Sequence, residues 1–291
     1  MRYIKLLAAI LTCMTVFTSF AGCATKSGFD MSSEITVISR EDGSGTRGAF
    51  VELFGIEQKN ANGEKVDYTV STADITQSTG VMITSVSQNA HAIGYISLGS
   101  LNDSVKAMKI DGVAPTTENI KNGSYKISRP FNIVIKEALS VVAKDFIDFI
   151  LSSDGQKVVE QHGYIAASDA AAFSGKKPQG KITIAGSSSV SPVMEKLKEA
   201  YLTINPNATI EINQSDSTTG VNSVMNNICD IGMASRELKE SEIASGLTST
   251  TIAIDGIAVI VNKKNTVDSL SAEQVKKIYT GEAVRWSDVT Q

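Results

Sequence analysis

The sequence predicts an α/β fold with a largely parallel sheet, and three observations carry that prediction. Runs of β-branched residues alternate with amphipathic helical patterns through most of the chain, the order that lays parallel strands between helices. Several of these runs pass directly into a Ser/Thr/Gly loop and then a helix, which is the strand–loop–helix unit of such sheets. The length of 291 residues exceeds what a single core usually fills, so about two domains are expected.

The elements follow in order. Arg2 and Lys5 precede an apolar run from Leu6 to about Phe20 that ends in Ala21-Gly22-Cys23. That run is shorter than the roughly 20 apolar residues a membrane span needs, and Thr12, Thr15, Thr18 and Ser19 interrupt it. Residues 1–22 therefore read as a secretory signal. Ile35–Ile38 is the first strand, followed by a loop and a helix carrying Phe50, Leu53 and Phe54. His91–Ile96 is the next strand, and Phe146, Ile147, Phe149 and Ile150 mark a helix that stops before Ser153-Asp154-Gly155. Residues 166–180, Ala/Ser-rich and then Lys176-Lys177-Pro178-Gln179-Gly180, have no periodicity and read as a linker. Lys181–Ala185 and Thr209–Ile212 are strands. Between them Val193, Leu197 and Tyr201 recur at four-residue spacing until Asn205-Pro206. Val221, Val224, Met225 and Ile228 form the next helical stripe, and Thr251–Val261 is a long strand.

Composition excludes several functions. With 42% hydrophobic and 20% charged residues the chain is of ordinary globular make-up. The formal charge is −4, and −6 once Arg2 and Lys5 leave with the leader, so no basic excess exists to bind nucleic acid. Two histidines and three cysteines are too few for the usual metal clusters, so no metal or other cofactor is expected. Cys13 lies in the leader, and Cys229, between apolar neighbours, reads as a buried small hydrophobe. His91, His162 and Trp286 read as structural residues. Neither a Walker loop nor a G-x-S-x-G elbow occurs, and neither histidine lies near a Ser or Cys nucleophile in sequence, so no enzyme is expected.

One loop chemistry occurs three times. Ile182–Ala185 runs into Gly186-Ser187-Ser188-Ser189 and a helix with Pro192 in its first turn, and Ile210–Ile212 into Ser215-Asp216-Ser217-Thr218-Thr219-Gly220 and a helix. Ile35–Ile38 runs into Arg40-Glu41-Asp42-Gly43-Ser44-Gly45-Thr46-Arg47 and a third helix. Such loops present backbone N–H groups at helix N-termini, where the helix dipole adds partial positive charge, and Ser and Thr add hydroxyl donors, so they suit anions. In open α/β sheets they lie at the carboxyl ends of the strands, where ligands bind. Asp42 has two readings: an acceptor that favours an anion still carrying a proton, or a carboxylate merely paired with Arg40 or Arg47.

At these residues the chain resembles the phosphate-binding lipoproteins of bacterial phosphate ABC transporters, over nearly all of the mature sequence. The stretches that carry the resemblance are Ile184–Pro192, Asp230–Arg236, Ile252–Ala258, Ser39–Arg47 and Ala92–Tyr95, with Ala21-Gly22-Cys23 similar to a lipobox in which Cys23 is lipidated. In that family the Gly186 loop comes first and the Arg40–Arg47 motif past mid-chain. Here the order is reversed, as a circular permutation would give, with the old termini joined through residues 166–180.

The resemblance implies a type II-like, two-lobed periplasmic-binding-protein fold with the ligand between the lobes. One lobe would combine residues 31–97 and 262–291, and the other would be continuous from 98 to 261. Phosphate contacts are implied from Arg40, Ser44, Gly45, Thr46, Ser188, Ser189, Val190, Ser217 and Thr218, with Asp42 as acceptor. Arg236 stands where other members carry an acidic residue facing the ligand. The implied protein is a monomer, secreted and held by lipid on the outer face of the bacterial membrane, that delivers phosphate to permease subunits. The alternatives are a receptor for another oxyanion or a secreted phosphate-ester hydrolase using the same loops.

Overall fold

The structure, a computed structural model, describes residues 28–289; the leader and Cys23 lie outside the described residues. Its main elements are β1 (Thr36–Arg40), α1 (Gly45–Leu53), β2 (Asp74–Thr76), α2 (Thr79–Gln88), β3 (Ala92–Ser97), β4 (Ser128–Ile135), α3 (Val141–Leu151) and α4 (Ser153–Gln161). They continue with β5 (Gly180–Ser187), α5 (Ser191–Ile204), β6 (Ala208–Ser215), α6 (Ser217–Met225), β7 (Ile231–Ala234), β8 (Thr248–Asn262) and α7 (Ala272–Tyr279). Among the described residues, no helix is long and apolar enough to cross a membrane.

The principal sheet runs β6-β5-β7-β4-β8-β3-β1-β2. β5, β6 and β7 are parallel at one end, β1, β2 and β3 at the other, and antiparallel β4 and β8 join the two sets. Inner strands such as β3 and β7 are buried along their whole length, whereas the edge strand β6 alternates buried and exposed positions in its first half. Along β8, Ile257, Val259 and Val261 enter one cluster with Val37, Phe50, Tyr95 and Trp286, while Ala258 and Ile260 enter another with Ile38, Met82 and Val86. At the other end Ile182, Ile184, Phe146, Phe149 and Tyr201 form one cluster, and Val134, Val221, Val224 and Leu247 form another. These pairs of clusters define two lobes.

The chain ends share a lobe: Ile35 N–H donates to the Val284 carbonyl at 2.8 Å, and Trp286 is fully buried beside Val37. The segment 166–180 starts and finishes in the other lobe, where Tyr164 and Ile182 share a core and Phe173 packs edge-on to Phe149, ring centroids 5.3 Å apart. It is a packed connection across α3 and α5 and does not divide two sequential domains.

Two details differ from the sequence reading. The expected boundary at residue 98 falls elsewhere, because Met108, Ile110, Tyr125 and Ile127 belong to the cluster with Trp286. Residues 105–107 also pair with Ile260–Asn262 of β8. The lobes exchange at Ser128 and near Asp255, where β4 and β8 cross between clusters. The helical stripe ending at Ile228 stops earlier, since α6 finishes at Met225, Asn227 takes a left-handed φ of 56°, and Ile228 is exposed. The helix carrying Phe146 and Ile150 ends at Leu151, before Ser153-Asp154-Gly155 as the sequence indicates. The Ser152 hydroxyl accepts from Gly155 N–H and starts α4 directly after α3.

Candidate functional site

The loops after β1, β5 and β6 meet between the lobes, together with the N-terminus of α2. Ser44 caps α1, its hydroxyl accepting from Arg47 N–H, and Ser78 caps α2 in the same way through Val81 N–H. α5 begins at Ser191 with Val190 at its cap and Pro192 in the first turn, and α6 begins at Ser217. Four helix N-termini therefore converge on one buried region. Arg40, Ser44, Thr46, Thr79, Ser187, Ser188, Ser189, Ser217 and Ser235 are all buried there.

Hydrogen bonds join the two walls directly. Thr46 Oγ1 lies 2.7 Å from Ser189 Oγ, and Arg40 Nη2 donates to Ser188 Oγ at 3.0 Å. Thr79 Oγ1 lies 3.1 Å from Ser189 Oγ, and Thr218 N–H donates to the Gly43 carbonyl at 3.2 Å. Ser235 links Ser187 Oγ at 3.0 Å and Ser217 Oγ at 3.2 Å. Gly45 is required by this approach: a Cβ there would stand 2.5 Å from Ser217 Oγ and 2.7 Å from Ser235 Oγ.

Arg40 is held from three sides. Glu41 takes Nη2 at 2.6 Å and Nε at 2.8 Å, and Arg40 N–H donates to Tyr95 Oη at 3.1 Å. Tyr95 is fixed by stacking on Phe50, ring centroids 3.8 Å apart, and burial pushes its phenol up to about 12. Arg129, at the start of β4, donates through Nη1 to Thr46 Oγ1 at 2.8 Å and to the Ser235 carbonyl at 3.0 Å. Its Nη2 reaches Asp255 Oδ2 at 3.4 Å. Burial lowers the Arg129 pKa to about 10 and raises that of Asp255 to about 6, although each partner opposes the shift of the other. Asp255 also accepts from Ser97 Oγ at 2.9 Å.

The structure therefore brings together Arg40, Ser44, Gly45, Thr46, Ser188, Ser189 and Ser217 from the sequence-based set. Four expected contacts are placed differently. The Asp42 side chain is 96% exposed and bonded to Arg47 Nη1 at 2.6 Å, so the paired-carboxylate reading describes its position. Val190 N–H donates to the Ser187 carbonyl at 3.0 Å, closing the turn before α5. Arg236 is chelated by Glu242, with both contacts at 2.8 Å, and its Nη2 donates to Thr218 Oγ1 at 3.2 Å. Arg236 and Thr218 thus form a half-buried pair beside the cluster, and Ser235 is the residue of that motif that enters it.

Sequence reasoning missed Thr79, Arg129 and Asp255, and it named Ser187 and Ser235 within their motifs without giving either a contact. Thr79 carries a fourth copy of the strand–Ser/Thr/Gly–helix pattern, in Thr76-Gln77-Ser78-Thr79-Gly80, hidden because β2 is three residues long. Asp255 was signalled by a lone carboxylate inside the apolar run 252–261, which folding can bury only against a cation.

Chemically, the region is a closed shell of hydroxyl groups and helix N-termini with two guanidinium groups and two carboxylates. Such a shell suits an oxyanion and offers it hydrogen-bond donors rather than a large net charge. Residues 28–154 and 171–291 match the model of the PBP superfamily domain, and the chain belongs to that superfamily. The phosphate-binding protein PstS 2 of Streptococcus agalactiae is 58% identical over 272 residues, 93% of each chain, and that of Streptococcus pneumoniae serotype 4 is 45% identical over 89% of this chain and 88% of its own. The solved structure of a phosphate ABC transporter's phosphate-binding protein from Streptococcus pneumoniae TIGR4 is 44% identical and covers 89% of this chain and all of that one, with a TM-score of 0.69. Within the superfamily the chain therefore belongs to the phosphate-binding PstS family.

Proposed function

We propose that this protein is a secreted receptor that binds inorganic phosphate between its lobes and delivers it to the permease of an ABC transporter. The observation that carries the reading is the buried shell in which Thr46 meets Ser189 and Arg40 meets Ser188 across the interlobe boundary. A tetrahedral oxyanion is matched by donors on every side: hydroxyls from α1, α2, α5 and α6, and a guanidinium from β1. Glu41 is paired with Arg40, and Asp255 with Arg129 and the Ser97 hydroxyl, so neither carboxylate contacts a hydroxyl of the interlobe shell. That arrangement supports binding without catalysis and disfavours the phosphate-ester hydrolase reading.

Lipid attachment at Cys23, supported by the lipobox-like Ala21-Gly22-Cys23, would hold the receptor on the outer face of the membrane. The permuted order is supported by the meeting of both chain ends in one lobe and by the return of segment 166–180 to the lobe it leaves. Old termini joined there and new ones cut at the surface would leave both cores intact. Titration calorimetry of the mature protein with phosphate tests the reading. One-to-one binding, with arsenate competing, is expected; no heat with phosphate, together with binding of an unrelated solute, would overturn it.

A further inference from the structure

The two guanidinium groups of the shell differ in how their charge is met. Arg40 is chelated by both oxygens of Glu41, its neighbour in the same loop. Arg129 has a single carboxylate contact, Asp255 at 3.4 Å, and its buried Nε has no partner. Its Cζ lies over the Phe131 ring, 5.1 Å from the centroid. A buried cation with an idle donor costs stability unless it does something for the closed state. What it touches identifies that role. Nη1 donates to Thr46 Oγ1 in one lobe and to the Ser235 carbonyl in the other, and Arg129 itself lies on a strand that crosses between them.

A hydroxyl has one proton and two lone pairs. Once Thr46 Oγ1 accepts from Arg129, its own proton must be given elsewhere, and the nearest direction is toward Ser189 Oγ, the centre of the shell. Ser188 Oγ is treated in the same way by Arg40, across the boundary. Each arginine consumes a lone pair, so that the hydroxyl faces the interior as a donor.

We infer that Arg129 is a positioning residue of the anion site, acting through Thr46: it turns the Thr46 hydroxyl into a donor aimed at the anion and sets a positive charge one hydroxyl behind it. The reach to Thr46 and Ser235 together exists only when the lobes are closed, so Arg129 also couples anion binding to closure. This rests on the phosphate-binding reading above.

A double-mutant cycle on the mature protein tests it, with inorganic phosphate as the titrant and thermal unfolding as a control for folding. Arg129→Met should weaken phosphate binding roughly 10- to 100-fold, the usual worth of a hydrogen bond to a charged group. In a Thr46→Val background the same change should cost no more than about threefold, because the hydroxyl it orients is gone. If Arg129→Met does not fold, Arg129→Lys serves in the same cycle: it keeps a positive charge near Asp255, but its one ammonium replaces the two nitrogens that serve Thr46 and Ser235 on one side and Asp255 on the other. Unchanged affinity in the Arg129 variants, or equal losses in both backgrounds, would overturn the positioning role while leaving phosphate binding intact. Absence of phosphate binding in the parent protein would instead overturn the function on which the role rests.

Discussion

Replacing Gly45 by alanine should separate ligand affinity from fold stability. The added Cβ would lie 2.5 Å from Ser217 Oγ, 2.7 Å from Ser235 Oγ and 3.0 Å from the Ser235 carbonyl carbon, all in the opposite lobe. The third is backbone, so a rotamer change of the two serines does not clear the clash. Within its own lobe Gly45 opens α1, where alanine is the better helix former, and its φ is not in the left-handed region. The strain is therefore confined to the closed state. Overpacking by one methyl group typically costs about 1–3 kcal/mol, which spread over the closure equilibrium lowers apparent phosphate affinity by roughly 5- to 150-fold. Calorimetric titration of Gly45→Ala beside Gly48→Ala is the assay, since a Cβ at Gly48, on the same helix, meets nothing within 4 Å. Both variants should melt close to the parent in the absence of phosphate, and only Gly45→Ala should lose affinity. Equal affinities would refute the argument that the lobes close at this contact.

Arg40→Ala should weaken phosphate binding by about 2–5 kcal/mol, because it strands Glu41 and removes the donor to Ser188, whereas Arg285→Ala, at the exposed end of the chain, should be silent in the same titration. Asp42→Asn should change neither phosphate affinity nor discrimination against sulfate, given that its carboxylate is exposed and bonded to Arg47. Asp255 carries a pKa raised to about 6, so its burial favours the native state below the unfolded value of 3.8 and that contribution is lost as pH rises through 6. The denaturation free energy of the parent relative to Asp255→Asn should accordingly fall between about pH 4 and pH 6. Cys229 is buried and pushed up to about 11, so the native protein should resist alkylation at pH 8 and react only on unfolding.

Much of this architecture was legible in the sequence because strand-forming runs lead directly into recognisable helix starts. Ile182–Ile184 and Ile210–Ile212 place Thr183 and Glu211 between isoleucines, and each precedes a loop whose Ser, Thr and Gly residues announce a helix start, while the run from Ile252 to Val261 is apolar apart from Asp255 and Gly256. The hydroxyl shell was legible for the same reason, since its members sit in those loops. What stayed hidden depends on distance in the chain. Arg129 is bonded to Thr46, 83 residues away, and to Ser235, 106 residues away, and no local pattern around Arg129-Pro130 indicates either partner. Asp42 illustrates the converse: its place in a Gly-rich anion loop says nothing about the rotamer, and Arg47, one helical turn on, takes the carboxylate out to solvent. The lobe boundary was misplaced because residues 105–127 carry short strands whose partners, in β8 and at 269–270, are far along the chain.

The central claim is that phosphate is held between the lobes by hydroxyls contributed from both. A crystal structure of the mature protein grown with phosphate tests it most directly. The anion should appear in the interlobe shell, within hydrogen-bond distance of Ser189 on one wall and Thr46 on the other, with Arg40 beside it. Phosphate bound to one lobe alone, or density confined to the outer surface near Asp42 and Arg236, would contradict it.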